Sequence, residues 1–186
     1  MRDERKGIVL QFTGKSLAGK TTIAKSLARY MGRLGYKIKI IDENEYSSTL
    51  NRDLGNTKGE KIEALRRLYR FANIFRTDFD VIIVCAIHPF DNLRNEFKDQ
   101  HNFPIIHIDC KNEALFNRDV HGNINKLIQH DLDLDGFDVL DCDFEEVTNA
   151  DLVINTTNIS INDALEELMN YLSVDFFQYA QLSNFN

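Results

Sequence analysis

The sequence predicts one α/β domain built on a five-stranded parallel sheet with helices on both faces. Two observations predict this fold class. Short apolar runs alternate along the chain with segments whose apolar residues recur at helical spacing, which is the pattern of parallel strands joined by helical crossovers. The run at residues 81–86 is also almost unbroken in apolar residues, as expected of a strand covered on both faces. We therefore expect three layers with right-handed crossovers.

The predicted strands and the first helix follow from these runs. The strands cover residues 8–12, 37–41, 81–86, 104–109 and 152–154. The first helix carries an apolar face made of Ile23, Leu27, Tyr30, Met31 and Leu34. Gly35 then suits the end of that helix, because glycine tolerates the backbone conformation found just past helix ends.

The remaining helices are predicted from their start signals and periodicity. Thr57 and Glu60 resemble a capping box, and one apolar face then runs up to about Arg76. A short helix is predicted after Asp91, another over residues 112–117, and a last one capped by Ser160. Residues 46–56, between the second strand and the capping box, are predicted to be a loop.

The domain boundaries are simple, because no repeat, low-complexity tract or Pro/Gly-rich linker divides the sequence. We expect a single domain over residues 1–186, with a lid at about 118–149 that includes a strongly acidic stretch. The tail at 173–186 is apolar for a chain end. It is expected to pack on its own domain, and a homodimer contact is the alternative.

Composition limits the functions to consider. The formal net charge of −7 argues against a nucleic-acid-binding surface, which would normally be basic. The start of the chain is charged, and no apolar run is long enough for a signal peptide or a membrane span. The three cysteines form no C-x-x-C pair and indicate a reducing compartment. We expect a cytoplasmic protein that binds neither nucleic acid nor membrane.

The chain is organised around Gly14-Lys15-Ser16-Leu17-Ala18-Gly19-Lys20-Thr21, which fits the phosphate-binding pattern G-x-x-x-x-G-K-[ST]. The glycines leave backbone N–H groups open to a polyphosphate, and the following helix points its positive N-terminal end at the same place. Lys20 would reach the β- and γ-phosphate oxygens, and the Thr21 hydroxyl would ligate Mg²⁺. The pattern predicts binding of ATP with Mg²⁺, and a glycine-rich turn without a ligand is the alternative.

Further strings extend the match over nearly the whole chain. They are Phe12-Thr13-Gly14 through Thr22, Leu50-Asn51-Arg52-Asp53-Leu54-Gly55, Arg66-Arg67, Ile87 with Pro89, Arg118-Asp119 with Gly122, Gly136-Phe137 and Asp151-Leu152-Val153. With these strings the chain resembles the adenylylsulfate kinase family from about Gly7 to Leu172. The resemblance implies a three-layer P-loop kinase fold with a lid before the last strand. It also implies transfer of the γ-phosphoryl group of ATP to the 3′-hydroxyl of adenosine 5′-phosphosulfate.

The resemblance also carries roles onto the matching positions. The ATP-binding residues that it implies are Gly14, Lys15, Ser16, Ala18, Gly19, Lys20, Thr21, Thr22 and Arg118. The acceptor-binding residues are Asn44, Asn51, Arg52, Asn56, Arg66, Ile87, His88 and Phe137. The catalytic residues are Lys20, Asp42 and Glu45, with Thr21 and Asp42 at Mg²⁺. His121 and Lys126 belong to the lid, and for both an ordinary surface role is an equal alternative.

On the acceptor side the chain departs from the family pattern. Asn44 replaces the aspartate to which the resemblance assigns activation of the 3′-hydroxyl, and an amide cannot accept that proton. The role then passes to Asp42 or Glu45, or is dispensed with, because phosphoryl transfer depends mainly on positioning and charge. Ser47 replaces an arginine that contacts the anionic end of the acceptor. Asn56 replaces a phenylalanine that stacks on the adenine.

Two other interpretations of the sequence stay open. The family includes an enzyme acting on cytidine diphosphoramidate in capsule modification, and Asn56 would suit a smaller base of that kind. Lys15, unusual inside the loop, is a candidate replacement for the missing arginine. The second alternative is a catalytically inactive nucleotide-binding protein. The complete set of residues for the γ-phosphate favours an active kinase over that alternative.

Overall fold

The computed structural model describes residues 6–119 and 144–182, with side chains described up to residue 173. Its strands are β1 (Ile8–Thr13), β2 (Ile38–Asp42), β3 (Val81–Cys85), β4 (Ile105–Asp109) and β5 (Leu152–Asn155). Its helices are α1 (Lys20–Arg33), α2 (Glu43–Leu50), α3 (Lys58–Ile74), α4 (Asp91–His101), α5 (Asn112–Arg118) and α6 (Ile161–Leu182), and a 3₁₀ turn at Phe75–Thr77 follows α3. Every predicted strand is present, with its ends shifted by no more than one residue.

The described strands form one parallel sheet in the order β2-β3-β1-β4-β5. The register pairs Phe12 of β1 and Asp42 of β2 with the same residue of β3, Cys85. The carboxyl ends of these three strands therefore stand side by side. Ligands bind at this edge of open parallel sheets, because the loops that leave the strands converge there.

Side chains alternate between the two faces of the sheet and build a core on each. On one face Leu10 and Ile83 pack against residues of α1, α5 and α6. On the other face Val9 and Ile82 pack against residues of α3 and α4. All of β3 is buried, which explains its unbroken apolar sequence. The predicted three-layer α/β architecture is confirmed.

Side-chain caps fix the starts of two helices. Thr57 and Glu60 form the predicted capping box at the start of α3, where each side chain accepts a hydrogen bond from the other residue's backbone N–H. Ser160 and Asp163 form the same reciprocal pair at the start of α6. These contacts satisfy N–H groups that have no partner inside the helix.

The predicted loop over residues 46–56 is wrong at its start, because α2 extends to Leu50. Asp42 caps this helix by accepting a hydrogen bond from the backbone N–H of Asn44 at 3.0 Å. No residue of α2 is buried. The helix therefore carries no apolar stripe that periodicity could reveal, and its start signal is a carboxylate that also ends a strand.

The predicted apolar face of α1 is correct for Ile23, Leu27 and Met31, which are buried, and wrong for its other two members. Tyr30 and Leu34 are 44% and 56% exposed. Tyr30 precedes Met31 and is rotated from it by about 100° around the helix axis, which places it at the flank of the buried stripe. Leu34 falls beyond the last helical residue, so the helical period no longer sets its direction.

The end of the chain continues a helix that was expected to stop earlier. α6 runs through Leu182, so residues 174–182 of the predicted tail are helical, although their side chains lie outside the described part. The packing or homodimer role of this segment stays a prediction. Among the helices of the described ranges, none is both long and apolar enough to cross a membrane.

Arg94 of α4 is a fully buried charge that ties residues after 143 to the turn that follows β3. Its guanidinium donates to the carbonyl oxygen of His88 at 2.6 Å, and to those of Glu145 and Glu146 at 2.9 Å each. An ion pair with Asp91 at 3.0 Å balances the charge. The structure accommodates a buried guanidinium because it is both paired and hydrogen-bonded.

We expect Arg94→Ala to lower the free energy of unfolding by about 3–5 kcal/mol, because carbonyl groups and a carboxylate would lose their donor. Arg70→Ala is the matched control, since Arg70 is 71% exposed in its ion pair with Glu63. Its effect should stay below about 1 kcal/mol. Urea unfolding followed by circular dichroism measures both, and equal losses in the two variants would contradict the role given to Arg94.

Candidate active site

The phosphate loop follows β1 and has the conformation that its glycines allow. Gly14 has a φ of +146°, and a β-carbon there would lie 2.2 Å from the carbonyl oxygen of Ile108. Gly19 has a φ of +107° and precedes the first residue of α1. Both positions therefore favour glycine, and the N-terminus of α1 opens onto the loop. The other predicted ATP-binding residues of this stretch, Ser16, Ala18 and Thr22, lie in the loop or the first turn of α1.

Lys20 begins α1 and folds its side chain back over the loop. Its ammonium donates to the carbonyl oxygens of Gly14 at 2.7 Å and Lys15 at 2.8 Å. Burial lowers the pKa of Lys20 from 10.5 to about 8, and the negative charge of Glu43 is the strongest of those that oppose the shift. Phosphate oxygens can replace both carbonyl contacts, because all of these groups accept hydrogen bonds.

Thr21 and Asp42 join α1 to the end of β2. The Thr21 hydroxyl donates to Oδ2 of Asp42 at 2.5 Å, while Oδ1 of Asp42 accepts the cap of α2. A hydroxyl and a carboxylate are hard oxygen donors of the kind that Mg²⁺ takes, with its other ligands supplied by substrate phosphates and water. The two predicted metal ligands are therefore adjacent and fit that ion. No group of three or more His, Cys, Asp and Glu side chains suited to a metal occurs in the described ranges.

Arg118, predicted from the resemblance to face ATP, lies against the phosphate loop. Its Nη1 donates to the carbonyl oxygens of Leu17 and Ala18, both at 3.3 Å. Its Nη2 donates to the carbonyl oxygen of Thr156 at 2.5 Å, and the Thr156 hydroxyl donates to that of Ala18 at 2.7 Å. Arg118 and Thr156 thus connect the far side of the sheet to the loop.

A cleft of about 330 Å³ adjoins Arg118. Its walls come from α5 and the turn after β5 and include Lys111, Asn117, Arg118, Thr157 and Asn158. Lys15 reaches the same side of the loop, where its ammonium donates to the side-chain oxygen of Asn112 at 3.0 Å. Since Arg118 lines the cleft and contacts the loop, a ligand in the cleft would adjoin phosphates held by the loop.

The predicted acceptor residues around α2 are mostly exposed. Asn44 and Asn56 are exposed, and Asn51, at the end of α2, is half-buried. Arg52 donates from Nε to a backbone carbonyl of α2 at 3.1 Å. Glu45, predicted to be catalytic, is exposed on α2 and is not among the charges that act on Lys20. The position of Glu45 gives no support to a role beside the phosphate loop.

Both arginines of the Arg66-Arg67 pair are bound to carboxylates. Arg66, which is 38% exposed, pairs with Glu96 at 2.9 Å. Arg67 forms two hydrogen bonds to Asp53, at 2.6 and 2.8 Å, and these hydrogen bonds lower the pKa of that carboxyl to about 2. Arg67 therefore holds the segment after α2 in place, and Arg66 is the member of the pair that an acceptor could recruit.

The structure corrects the prediction that His88 lines the acceptor pocket. Its side chain is fully buried, with Nδ1 3.4 Å from the hydroxyl of Tyr69. Burial lowers the pKa of His88 to about 3, so the imidazole is neutral. Its backbone is left-handed, with φ +49°, and the preceding carbonyl of Ile87 accepts the Thr13 hydroxyl at 2.7 Å. His88 shapes the turn after β3 from inside the core.

Sequence reasoning missed Glu43, which begins α2 directly after Asp42. Its carboxylate accepts a hydrogen bond from the backbone N–H of Ile87 at 3.0 Å. Burial dominates the pKa shifts of both Lys20 and Tyr69, and after burial Glu43 is the strongest charge acting on each. The available signal was its place at the carboxyl end of a strand, where polar residues of parallel sheets meet ligands.

Part of the predicted site lies outside the described residues. This holds for Phe137 on the acceptor side and for His121 and Lys126 of the lid. The two ends of the predicted lid are described: Arg118 closes α5, and residues 144–149 pack against the start of α4 through Arg94.

Comparison with known proteins agrees with this geometry. A family model described as "Adenylylsulphate kinase" matches residues 6–155 of the chain. The adenylyl-sulfate kinase of a Picosynechococcus strain is 28% identical over 171 residues, which cover 91% of this chain and 96% of that protein. The adenylyl-sulfate kinase of Halothermothrix orenii is 30% identical over 174 residues, which cover 92% of each.

A solved structure is similar in fold over nearly its whole length. The APS kinase of Mycobacterium tuberculosis, in complex with AMPPNP and APS, matches with a TM-score of 0.79 at 25% identity. The match covers 90% of this chain and 98% of that one. These similarities support the P-loop kinase fold predicted from the sequence.

We expect the affinity for ATP to fall as the pH rises above about 8, the pKa that burial gives Lys20. Below that pH the ammonium is already charged, whereas above it ATP must bind together with a proton, which weakens binding by up to about tenfold per pH unit. Calorimetric titration of ATP at pH 7, 8 and 9 measures the slope. The Lys20→Arg variant, which stays charged, should lose it, and a pH-independent wild-type affinity would contradict the assignment.

Proposed function

The chain belongs to the adenylylsulphate kinase family, and from this premise we propose that it transfers the γ-phosphoryl group of ATP to the 3′-hydroxyl of a nucleotide. Membership of the family makes it a phosphotransferase with a hydroxyl acceptor. Adenosine 5′-phosphosulfate is the first candidate acceptor, because the relatives that match over most of the chain are named adenylyl-sulfate kinases.

The observation that carries the proposal is the assembled phosphate loop, with Thr21 2.5 Å from Asp42 and Lys20 folded over the loop carbonyls. Lys20 would pair with the transferred phosphoryl group, and Thr21 and Asp42 would hold Mg²⁺. When bound, Mg²⁺ neutralises charge that develops on the phosphate oxygens. These residues supply positioning and charge stabilisation, which is most of what phosphoryl transfer requires.

The cleft beside Arg118 is the proposed site for the base and ribose of ATP. Its polar walls offer Asn117 and Asn158 for hydrogen bonds, and Lys111 adds positive charge. The guanidinium of Arg118 would exchange the carbonyl oxygens of the loop for phosphate oxygens, which bind an arginine more strongly because they are charged. Arg118 would thereby stabilise the transferred group from the side opposite Asp42.

A cytidine nucleotide such as cytidine diphosphoramidate, which would place the enzyme in capsule modification, is the second candidate acceptor. The specific observation in its favour is the state of the acceptor-side cations. Arg66 is bound to Glu96, Arg67 is bound to Asp53, and position 47 carries a serine. An anionic sulfate must compete with these carboxylates, whereas an acceptor whose terminal group carries less negative charge loses less by their presence.

We expect ADP release with Mg-ATP and one member of an acceptor panel, with phosphorus NMR showing a 3′-phosphate on the product. The panel contains adenosine 5′-phosphosulfate, cytidine diphosphoramidate, and simple adenine and cytosine nucleotides. Turnover of the phosphosulfate would assign the activity named for the relatives, and turnover of a cytosine nucleotide alone would assign an altered acceptor pocket.

Lys20→Ala is the control for this assay and should abolish turnover, because no other described cation lies over the loop carbonyls. Transfer that survives the substitution would contradict the role of Lys20. ATP binding without turnover of any acceptor would favour the catalytically inactive protein instead.

A further inference from the structure

Glu43 occupies the gap between the phosphate loop and the turn after β3. It is half-buried at the first position of α2, and its carboxylate accepts the backbone N–H of Ile87 at 3.0 Å. Its negative charge acts on Lys20 from one side and on the buried Tyr69 from the other. An acceptor hydroxyl that attacks a phosphate held by Lys20 must approach through this part of the site.

The other carboxylates near the loop are committed or distant from it. Both oxygens of Asp42 are engaged, one by the Thr21 hydroxyl and the other by the cap of α2. These contacts place Asp42 on the side of the metal ion. Glu45 is exposed on α2, and position 44 carries an amide that cannot take up a proton. Among the described carboxylates of this segment, Glu43 is the one that combines partial burial with an influence on Lys20.

We propose that Glu43 is the catalytic residue that accepts the proton of the acceptor hydroxyl, a role that rests on the proposed kinase function. The hydroxyl oxygen forms a bond to the γ-phosphorus as its proton passes to the carboxylate. The bond between the γ-phosphorus and the bridging oxygen breaks, and its electron pair stays on ADP. Glu43 then returns the proton to solvent, so ATP and the acceptor alone become ADP and the phosphorylated product.

A purely structural role is the competing explanation, because the contact with Ile87 also ties α2 to the turn after β3. Glu43→Gln separates the two. The glutamine side chain keeps a carbonyl oxygen that can accept the same N–H, but it cannot take up a proton at neutral pH. A structural role therefore predicts an active variant, whereas a proton-accepting role predicts a slow one.

The experiment compares kcat and KM of the wild type, Glu43→Gln and Glu43→Asp on the acceptor that the wild type phosphorylates. For Glu43→Gln we expect kcat to fall by about 100-fold, in the range of general-base contributions, with the KM for ATP within about threefold. Glu43→Asp keeps a carboxylate and should recover at least about a tenth of the wild-type kcat. Glu167→Gln, an exposed carboxylate on α6, is the matched control and should behave as the wild type.

The outcomes separate the failure of this role from the failure of the proposed function. If the wild type turns over an acceptor and Glu43→Gln does so within about threefold, the role of Glu43 is overturned while the kinase function stands. The role is also overturned if Glu45→Gln carries the loss instead. If the wild type phosphorylates no nucleotide, the proposed function fails and the role of Glu43 fails with it. A thermal melt confirms that each variant is folded.

Discussion

The hydrogen bond between Thr21 and Asp42 connects the two parts of the sheet edge on which the site is built. The phosphate loop leaves β1, Asp42 ends β2, and the register aligns both with Cys85 of the intervening strand. Because β3 is buried along its whole length, the packing of the core sets the relative height of these ends. Such a frame suits phosphoryl transfer, in which small displacements of the reacting groups are costly.

The cations on the two sides of the site are held in different ways. Lys20 and Arg118 rest on carbonyl oxygens of the phosphate loop, which a phosphate can replace with a gain in charge pairing. Arg66 and Arg67 rest on carboxylates, which compete with any anionic acceptor. The ATP side is therefore prepared for a polyphosphate, whereas the acceptor side favours a ligand that can displace or tolerate these ion pairs.

The sequence was sufficient for features that depend on local pattern. Strand positions follow from apolar runs, the phosphate loop from the spacing of Gly14, Gly19 and Lys20, and the start of α3 from its capping box. Features that depend on tertiary contact were missed. α2 buries no residue and so shows no period, and the burial of His88 depends on the helices packed around it. Glu43 became a candidate only once its contact with Ile87 was known.

A crystal structure of the chain with AMPPNP, Mg²⁺ and the acceptor would test the assignment of the phosphate loop most directly. The ammonium of Lys20 should leave the carbonyl oxygens of Gly14 and Lys15 for the β- and γ-phosphate oxygens. Mg²⁺ should lie at the hydroxyl of Thr21, with Asp42 in its first or second coordination sphere. A nucleotide bound elsewhere, with Lys20 still on the loop carbonyls, would contradict the account.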